Sequence, residues 1–209
     1  MFVESIANRE AKVEASTPLG EVLPMLQHYP GLMVTDQGRV VGGLSRGQLF
    51  HMFADMWMTS QGSASDILQG PAREHAQDVP VFPFGTPVES AVESLVGGAV
   101  LAIVVDRRNE PYGVISWMEV NQYLREITGM DDRKSVRFSL ALVDMPGQLA
   151  RVAEVVGRAG ANITALTLSD PKVLNWVHVV LRVDRGHAEI ARGALERAGI
   201  DIIAEHNPS

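Results

Sequence analysis

Apolar residues recur at helical spacing twice in the first half of the chain, at Leu19, Val22, Leu23 and Leu26 and again at Val88, Ala91, Val92 and Leu95. This spacing predicts two short amphipathic helices. Each opens on Thr-Pro, Thr17-Pro18 and Thr86-Pro87, 69 residues apart. Threonine suits an N-cap and proline the first helical position. Glu89, three residues after Thr86, would complete a capping box. Pro24 falls inside the first helix and predicts a kink or an early stop. An apolar run closing on aspartate follows each helix, GLMVTD ending at Asp36 and LAIVVD at Asp106. A second short strand comes next, VVGGL and YGVIS, and then a closing helix, Gln48 to about Met56 and Glu119 to about Ile127. The unit is therefore written twice, in register, as strand, helix, strand, turn, strand, helix. SIAN near the start and DILQ near Ile67 read as matching leading segments 61 residues apart, with the loop GPAREHAQ inserted in the second copy. A copy of roughly 55–65 residues buries little core alone, so the two copies are expected to pack sheet to sheet.

After GMDDRK the pattern changes, with Asp131 and Asp132 reading as a solvated linker. VRFSLALV alternates, placing Val136, Phe138, Leu140 and Leu142 on one strand face. DMPGQL then opens a helix with Leu149, Val152, Ala153 and Val156 on its apolar stripe, ended by Gly160. Two strands, NITALTL and LNWVHVVLRV, precede a helix through Ile190, Ala191, Ala194 and Leu195 and a last strand, DIIAEH. The order βαββαβ is the split ferredoxin-like plan, an antiparallel sheet with both helices on one face.

Composition narrows the function. The chain has 209 residues, 46% hydrophobic and 21% charged, with a net charge of -7. An acidic chain without a Lys/Arg block is a poor nucleic-acid partner. The absence of cysteine excludes a disulfide framework, a thiolate metal site and a thiol nucleophile. No apolar run reaches the ~20 residues that cross a bilayer, and MFVESIANRE has no signal-peptide core, so a cytoplasmic protein is expected. The six histidines never stand at the i, i+4 metal spacing, and neither HExxH nor GxSxG occurs. Gly-Gly-Leu-Ser-Arg-Gly lacks the GK[ST] ending of a phosphate loop, and VGGLSRG has the wrong glycine spacing for a dinucleotide fingerprint.

The doubled unit, with an apolar strand closing on Asp and then Gly-apolar-apolar-Ser-x-x-acid opening a helix, resembles a tandem pair of CBS domains, a Bateman module. The stretch from Val136 onward, with DMPGQLARVAEVVGRAGANI, looks like an ACT domain. The order CBS–CBS–ACT is similar to that of AcuB-type, acetoin-utilisation proteins. This implies an α+β fold with repeats over 1–58 and 59–130 and an ACT domain over 135–209. The resemblance further implies a non-enzymatic regulatory sensor, without obligatory cofactor or metal. Its CBS pair would bind an adenine nucleotide (AMP, ADP or ATP) or S-adenosylmethionine, its ACT domain an amino acid. Both domain types usually dimerise, so a homodimer acting on a regulated enzyme is implied, with no nucleic-acid or membrane partner. The alternative is a scaffold or dimerisation protein with degenerate clefts.

By the same resemblance, Ser116 and Glu119 in the second copy, and Ser45 and Gln48 in the first, would meet phosphate and ribose, with Arg46 a further phosphate contact. Unpaired N–H groups at a helix start favour an anion, and a carboxylate can accept two hydroxyls. A serine at the N-cap with Glu three residues on is also a plain capping box, which needs no ligand. In the ACT region Asp144, Gly147, Asn162 and Ile163 match the amino-acid site, with Asn162 and Ile163 facing the loop across the dimer. Asp144 reads equally as an N-cap and Gly147 as a turn residue. His178 reads as a sheet residue. The run HMFADMWM, with Met52, Phe53, Met56 and Trp57, is either core or a dimer surface.

Overall fold

The computed structural model describes residues 1–59, 63–169 and 175–207. The chain divides into two compact units, Met1–Tyr123 and Leu124–Ser209. In the first unit β1 (Lys12–Glu14), α1 (Leu19–His28), β2 (Gly31–Asp36), β3 (Arg39–Ser45) and α2 (Arg46–Thr59) make one copy of the repeat. After α3 (Ala64–Gln69) the plan recurs as β4 (Val81–Pro83), α4 (Val88–Val96), β5 (Ala102–Val105), β6 (Pro111–Ile115) and α5 (Trp117–Ile127). Each sheet has three strands, the first parallel to the second and the second antiparallel to the third. A register shift falls at the same place in both hairpins, Val34/Thr35 and Val104/Val105. The central strands β2 and β5 are buried over Leu32–Val34 and Ala102–Val105. That burial explains why they read as continuous apolar runs rather than alternating ones.

Several local expectations change. Pro18 and Pro87, rather than the threonines, stand at the N-caps, and no side chain caps either helix. Thr86 instead donates from Oγ1 to the Pro83 carbonyl at 2.7 Å. No helix N–H reaches the threonine oxygen, and the Thr86–Glu89 box does not form. The helix α1 runs through Pro24 for ten residues.

The leading segments differ most. The short 3-10 turn Val3–Ser5 corresponds to the 3-10 turn Ala72–His75, 69 residues later. Each lies on the other copy's sheet. Asn8 bridges Val114 in β6, and Gln77 bridges Gly43 in β3. Val3 N–H donates to Thr86 O and Ala72 N–H to Thr17 O. Val3, Ile6 and Ala7 accordingly pack in the core of the second sheet, and Ala72, Ala76 and Val79 in that of the first. GPAREHAQ is therefore the equivalent of the N-terminus and not an insertion. DILQ forms α3 instead. The exchange requires backbone contact: a Cβ on Gly42 would lie 2.6 Å from the Gln77 carbonyl oxygen, so only glycine fits.

The second unit contains β7 (Ser135–Val143), α6 (Gln148–Arg158), β8 (Ile163–Ser169), β9 (Trp176–Asp184), α7 (Ala188–Arg197) and β10 (Asp201–His206). The expected start of β9 at Leu174 lies outside the described residues. The antiparallel order is β10-β7-β9-β8, as the βαββαβ order predicts. Val136, Phe138, Leu140 and Leu142 turn inward against Val152, Val156, Ala191 and Leu195. His178 is an exposed sheet residue opposite Ala141. The division between units falls within α5, ahead of the expected linker. Arg182, 7% exposed, donates from Nε to the Thr128 carbonyl at 3.0 Å and from Nη1 to Ser135 Oγ at 3.2 Å. A guanidinium at the carbonyl end of a helix is favourably placed against its dipole, and it holds the end of α5 within the second unit.

Candidate functional site

The two serine motifs, alike in sequence, have different surroundings. Ser116 is 2% and Glu119 5% exposed. The Glu119 Oε2 accepts from Ser116 N–H at 2.8 Å and from Ser116 Oγ at 2.6 Å. Ser116 Oγ in turn accepts from Met118 N–H at 3.1 Å, and Asn8 Nδ2 donates to Glu119 Oε1 at 3.4 Å. This is a reciprocal capping box whose carboxylate already has three donors. Beside it the Arg9 guanidinium stacks on Tyr112, 4.3 Å from the ring centroid, and also donates to the tyrosine hydroxyl. Ser116 and Glu119 thus satisfy one another and their neighbours within the protein.

The first copy is open. A cavity of about 780 Å³ is lined by Ser45, Gln48, His51 and Asp55 along one side of α2 and by Glu74 and His75 from the exchanged segment. Gln48 N–H donates to Ser45 Oγ at 3.1 Å, so the serine caps the helix while its own proton stays available. Gln48 Nε2 donates to the His75 carbonyl at 2.5 Å, which leaves the amide oxygen as an acceptor. With a neutral side chain in place of Glu119, no reciprocal box forms. The Gln48 amide is turned to the exchanged segment instead, and the cavity remains beside Ser45, itself 3% exposed. Arg46 is not part of it. Its N–H donates to the Pro30 carbonyl, and it lines a separate apolar groove with Leu23, Leu26, Leu49, Phe50 and Phe53. Helical geometry sends adjacent residues to different faces, which separates Arg46 from Ser45. Along the same helix Met52 and Phe53 pack against the core, while Trp57 is 83% exposed.

In the second unit a cavity of about 490 Å³ forms over the loop Asp144–Leu149, with Leu168 and Val177 opposite. Gly147, at φ 89°, is the N-cap of α6 and no side chain caps the helix. Asp144 is therefore not the N-cap; its N–H donates to the Asn175 carbonyl at 2.9 Å. Asn162 and Ile163 lie at the far end of α6, roughly 16 Å along the helix at ~1.5 Å per residue. Within one chain they do not join this loop. Asn162 N–H donates to Asp184 Oδ2 at 3.1 Å, and Asp184 Oδ1 meets His187 Nδ1 at 2.7 Å. The hydrogen bond to His187, then that from Asn162, holds the Asp184 carboxyl below its ordinary value. Among the described residues no group of His, Cys, Asp and Glu is placed to hold a metal ion. No helix among them is long and apolar enough to cross a membrane.

Of these groups, sequence reasoning missed His75 and its neighbours in the cleft wall. The signal was present: the offset of 69 that relates Thr17 to Thr86 also relates Ile6 to His75 and Asn8 to Gln77.

No family model matches the chain, and no curated protein matches it. Solved structures that resemble it include a protein from Methanocaldococcus jannaschii, 16% identical, covering 61% of this chain and 61% of that one, TM-score 0.49. A CBS domain-containing protein from Thermotoga maritima is 19% identical over 59% of this chain and 94% of that one, TM-score 0.49. CBSX2 in complex with AMP is 21% identical over 60% of this chain and 96% of that one, TM-score 0.48. CBS-domain proteins are thus among the structures it is similar to. With identities and TM-scores this low, the fold assignment rests on the strand orders and registers above.

Proposed function

We propose that the chain is a non-enzymatic regulatory sensor whose first unit, a CBS pair, binds one adenine nucleotide in the Ser45 cleft. The observation that carries this reading is the open cavity holding Ser45 and Gln48 at the start of a fourteen-residue helix. The helix N-terminus and Ser45 hydroxyl suit a phosphate, and the Gln48 amide oxygen suits a ribose hydroxyl. The closed capping box at Ser116 and Glu119 favours one ligand per chain. We further propose that the second unit is an ACT domain whose Asp144–Leu149 loop takes an amino acid, its carboxylate on the free N–H groups at the start of α6. The chain would work as a homodimer and pass the state of its clefts to a regulated enzyme. A nucleotide regulates only by its difference in affinity for two arrangements of the protein.

A thermal-shift panel of AMP, ADP, ATP, S-adenosylmethionine and the amino acids tests this directly. A ligand at 100 times its dissociation constant stabilises by about 2.7 kcal/mol. The expected result is a shift with at least one adenine nucleotide, lost in Ser45→Ala/Gln48→Ala and kept in Ser116→Ala. Silence from every nucleotide would favour the scaffold reading, which the exposed Phe50, Trp57 and Met58 on α2 also fit.

A further inference from the structure

The helix α2 is apolar on two sides. Leu49 is buried, and Met52 and Phe53 pack on the first core, while Phe50, Trp57 and Met58 are exposed. Single exposed apolar side chains are ordinary, but a helix apolar on every side is normally covered on every side. The outer stripe is also ordered. Arg46, Phe50, Phe53 and Trp57 stand at i, i+4, i+7 and i+11, on one face of the helix. Beside Phe50 lies a groove of about 400 Å³, lined by Leu23 and Leu26 of α1 and by Arg46, Leu49 and Phe53 of α2.

The spacing of this stripe, four, three, four, reads the same in both directions. Two copies of α2 laid antiparallel about its midpoint therefore set Arg46 against the partner's Trp57 and Phe50 against the partner's Phe53, each pair occurring twice. Charge favours that arrangement. Among the described residues the Arg46 guanidinium has neither a hydrogen bond nor an ion pair. It stands at the first residue of α2, the positive end of its own helix dipole, and no basic residue lies in the last turn. Antiparallel pairing brings each guanidinium to the negative end of the partner helix and against an indole ring, and both favour a cation. The repeat supplies a contrast. The equivalent positions 71 residues on are Trp117, Asn121, Leu124 and Thr128, which carry no cation and a polar residue in second place. We infer that the Arg46–Trp57 face of α2 is the surface on which two copies of the chain pair, antiparallel, with Phe50 of each seated in the other's groove. A two-fold interface must be complementary to itself, and this stripe is. The inference rests on the homodimer reading above and names its surface.

The test is sedimentation velocity of the full chain over a concentration series. Wild type should be a dimer. Trp57→Arg sets guanidinium against guanidinium at both ends of the stripe, and Phe50→Glu places a carboxylate in each groove. Either should raise the dimer dissociation constant roughly a hundredfold or more, as the loss of paired aromatic anchors does. Both side chains are exposed, so the variants should keep the wild-type circular dichroism. The exchanged double variant Arg46→Trp/Trp57→Arg re-forms each cation–indole pair and should recover roughly tenfold of the lost affinity. A monomeric wild type overturns this inference and the homodimer reading together. A dimer indifferent to Trp57→Arg and Phe50→Glu overturns the surface while the homodimer reading stands, and a double variant no better than Trp57→Arg alone overturns the antiparallel pairing.

Discussion

Glu119→Ala separates a structural role from a ligand-binding one, because the two predict opposite outcomes. In the structure the Glu119 carboxylate accepts from Ser116 N–H at 2.8 Å, Ser116 Oγ at 2.6 Å and Asn8 Nδ2 at 3.4 Å. Truncation strands the buried Ser116 N–H, which costs about 1–3 kcal/mol, and leaves the Ser116 hydroxyl without its acceptor, about 1 kcal/mol more. The expected loss is roughly 2–4 kcal/mol, the weak Asn8 contact adding little. The melting scale for domains between the 60–100 and 150–250 residue classes is about 4 °C per kcal/mol. The midpoint of the first unit, Met1–Tyr123, should therefore fall by about 8–16 °C. Urea unfolding followed by the fluorescence of Trp57 and Trp117 measures the loss, and titration with AMP at a temperature where the variant is folded measures the cleft. Glu119→Gln should lose less, since the amide oxygen still accepts. A Glu119→Ala chain as stable as wild type but unable to bind nucleotide would refute the reasoning, and would return the ligand to the second copy.

Leu101 is 1% exposed and belongs to the first copy's core although it lies beside β5 of the second. Leu101→Ala should cost about 2–5 kcal/mol in urea unfolding and loosen the contact between the two sheets; a loss under about 1 kcal/mol would mean the sheets do not share a core. Asp184 is held below its ordinary carboxyl value by His187 and Asn162, so its stabilisation is present above the unfolded value near ~3.9 and is lost as pH falls through the lower folded value. Wild type should therefore lose more of its urea midpoint between pH 6 and ~3 than Asp184→Asn does, and parallel pH curves for the two chains would contradict the assignment.

The amino-acid sequence by itself determined the elements and their repetition. Burial imposes periodicity, so apolar runs at GLMVTD and LAIVVD could only be covered strands, and the alternation in VRFSLALV could only be a strand with one buried face. The βαββαβ order of the second unit followed from local signals and came out with its strand order intact. What the tertiary structure decided was which copy each leading segment joins and which serine motif stays open. The exchange of Val3–Asn8 and Ala72–Gln77 between sheets rests on backbone contacts made over long sequence separations, hinted at in sequence by the 69-residue offset and by the glycines at 42 and 113, where a Cβ would strike the exchanged backbone. The contrast between the motifs comes down to one residue, Glu119 against Gln48. In sequence the carboxylate looked like the better ligand group. In the folded chain the Glu119 carboxylate is engaged by Ser116 and Asn8, while the Gln48 amide is turned to His75 and a cavity remains beside the equally buried Ser45.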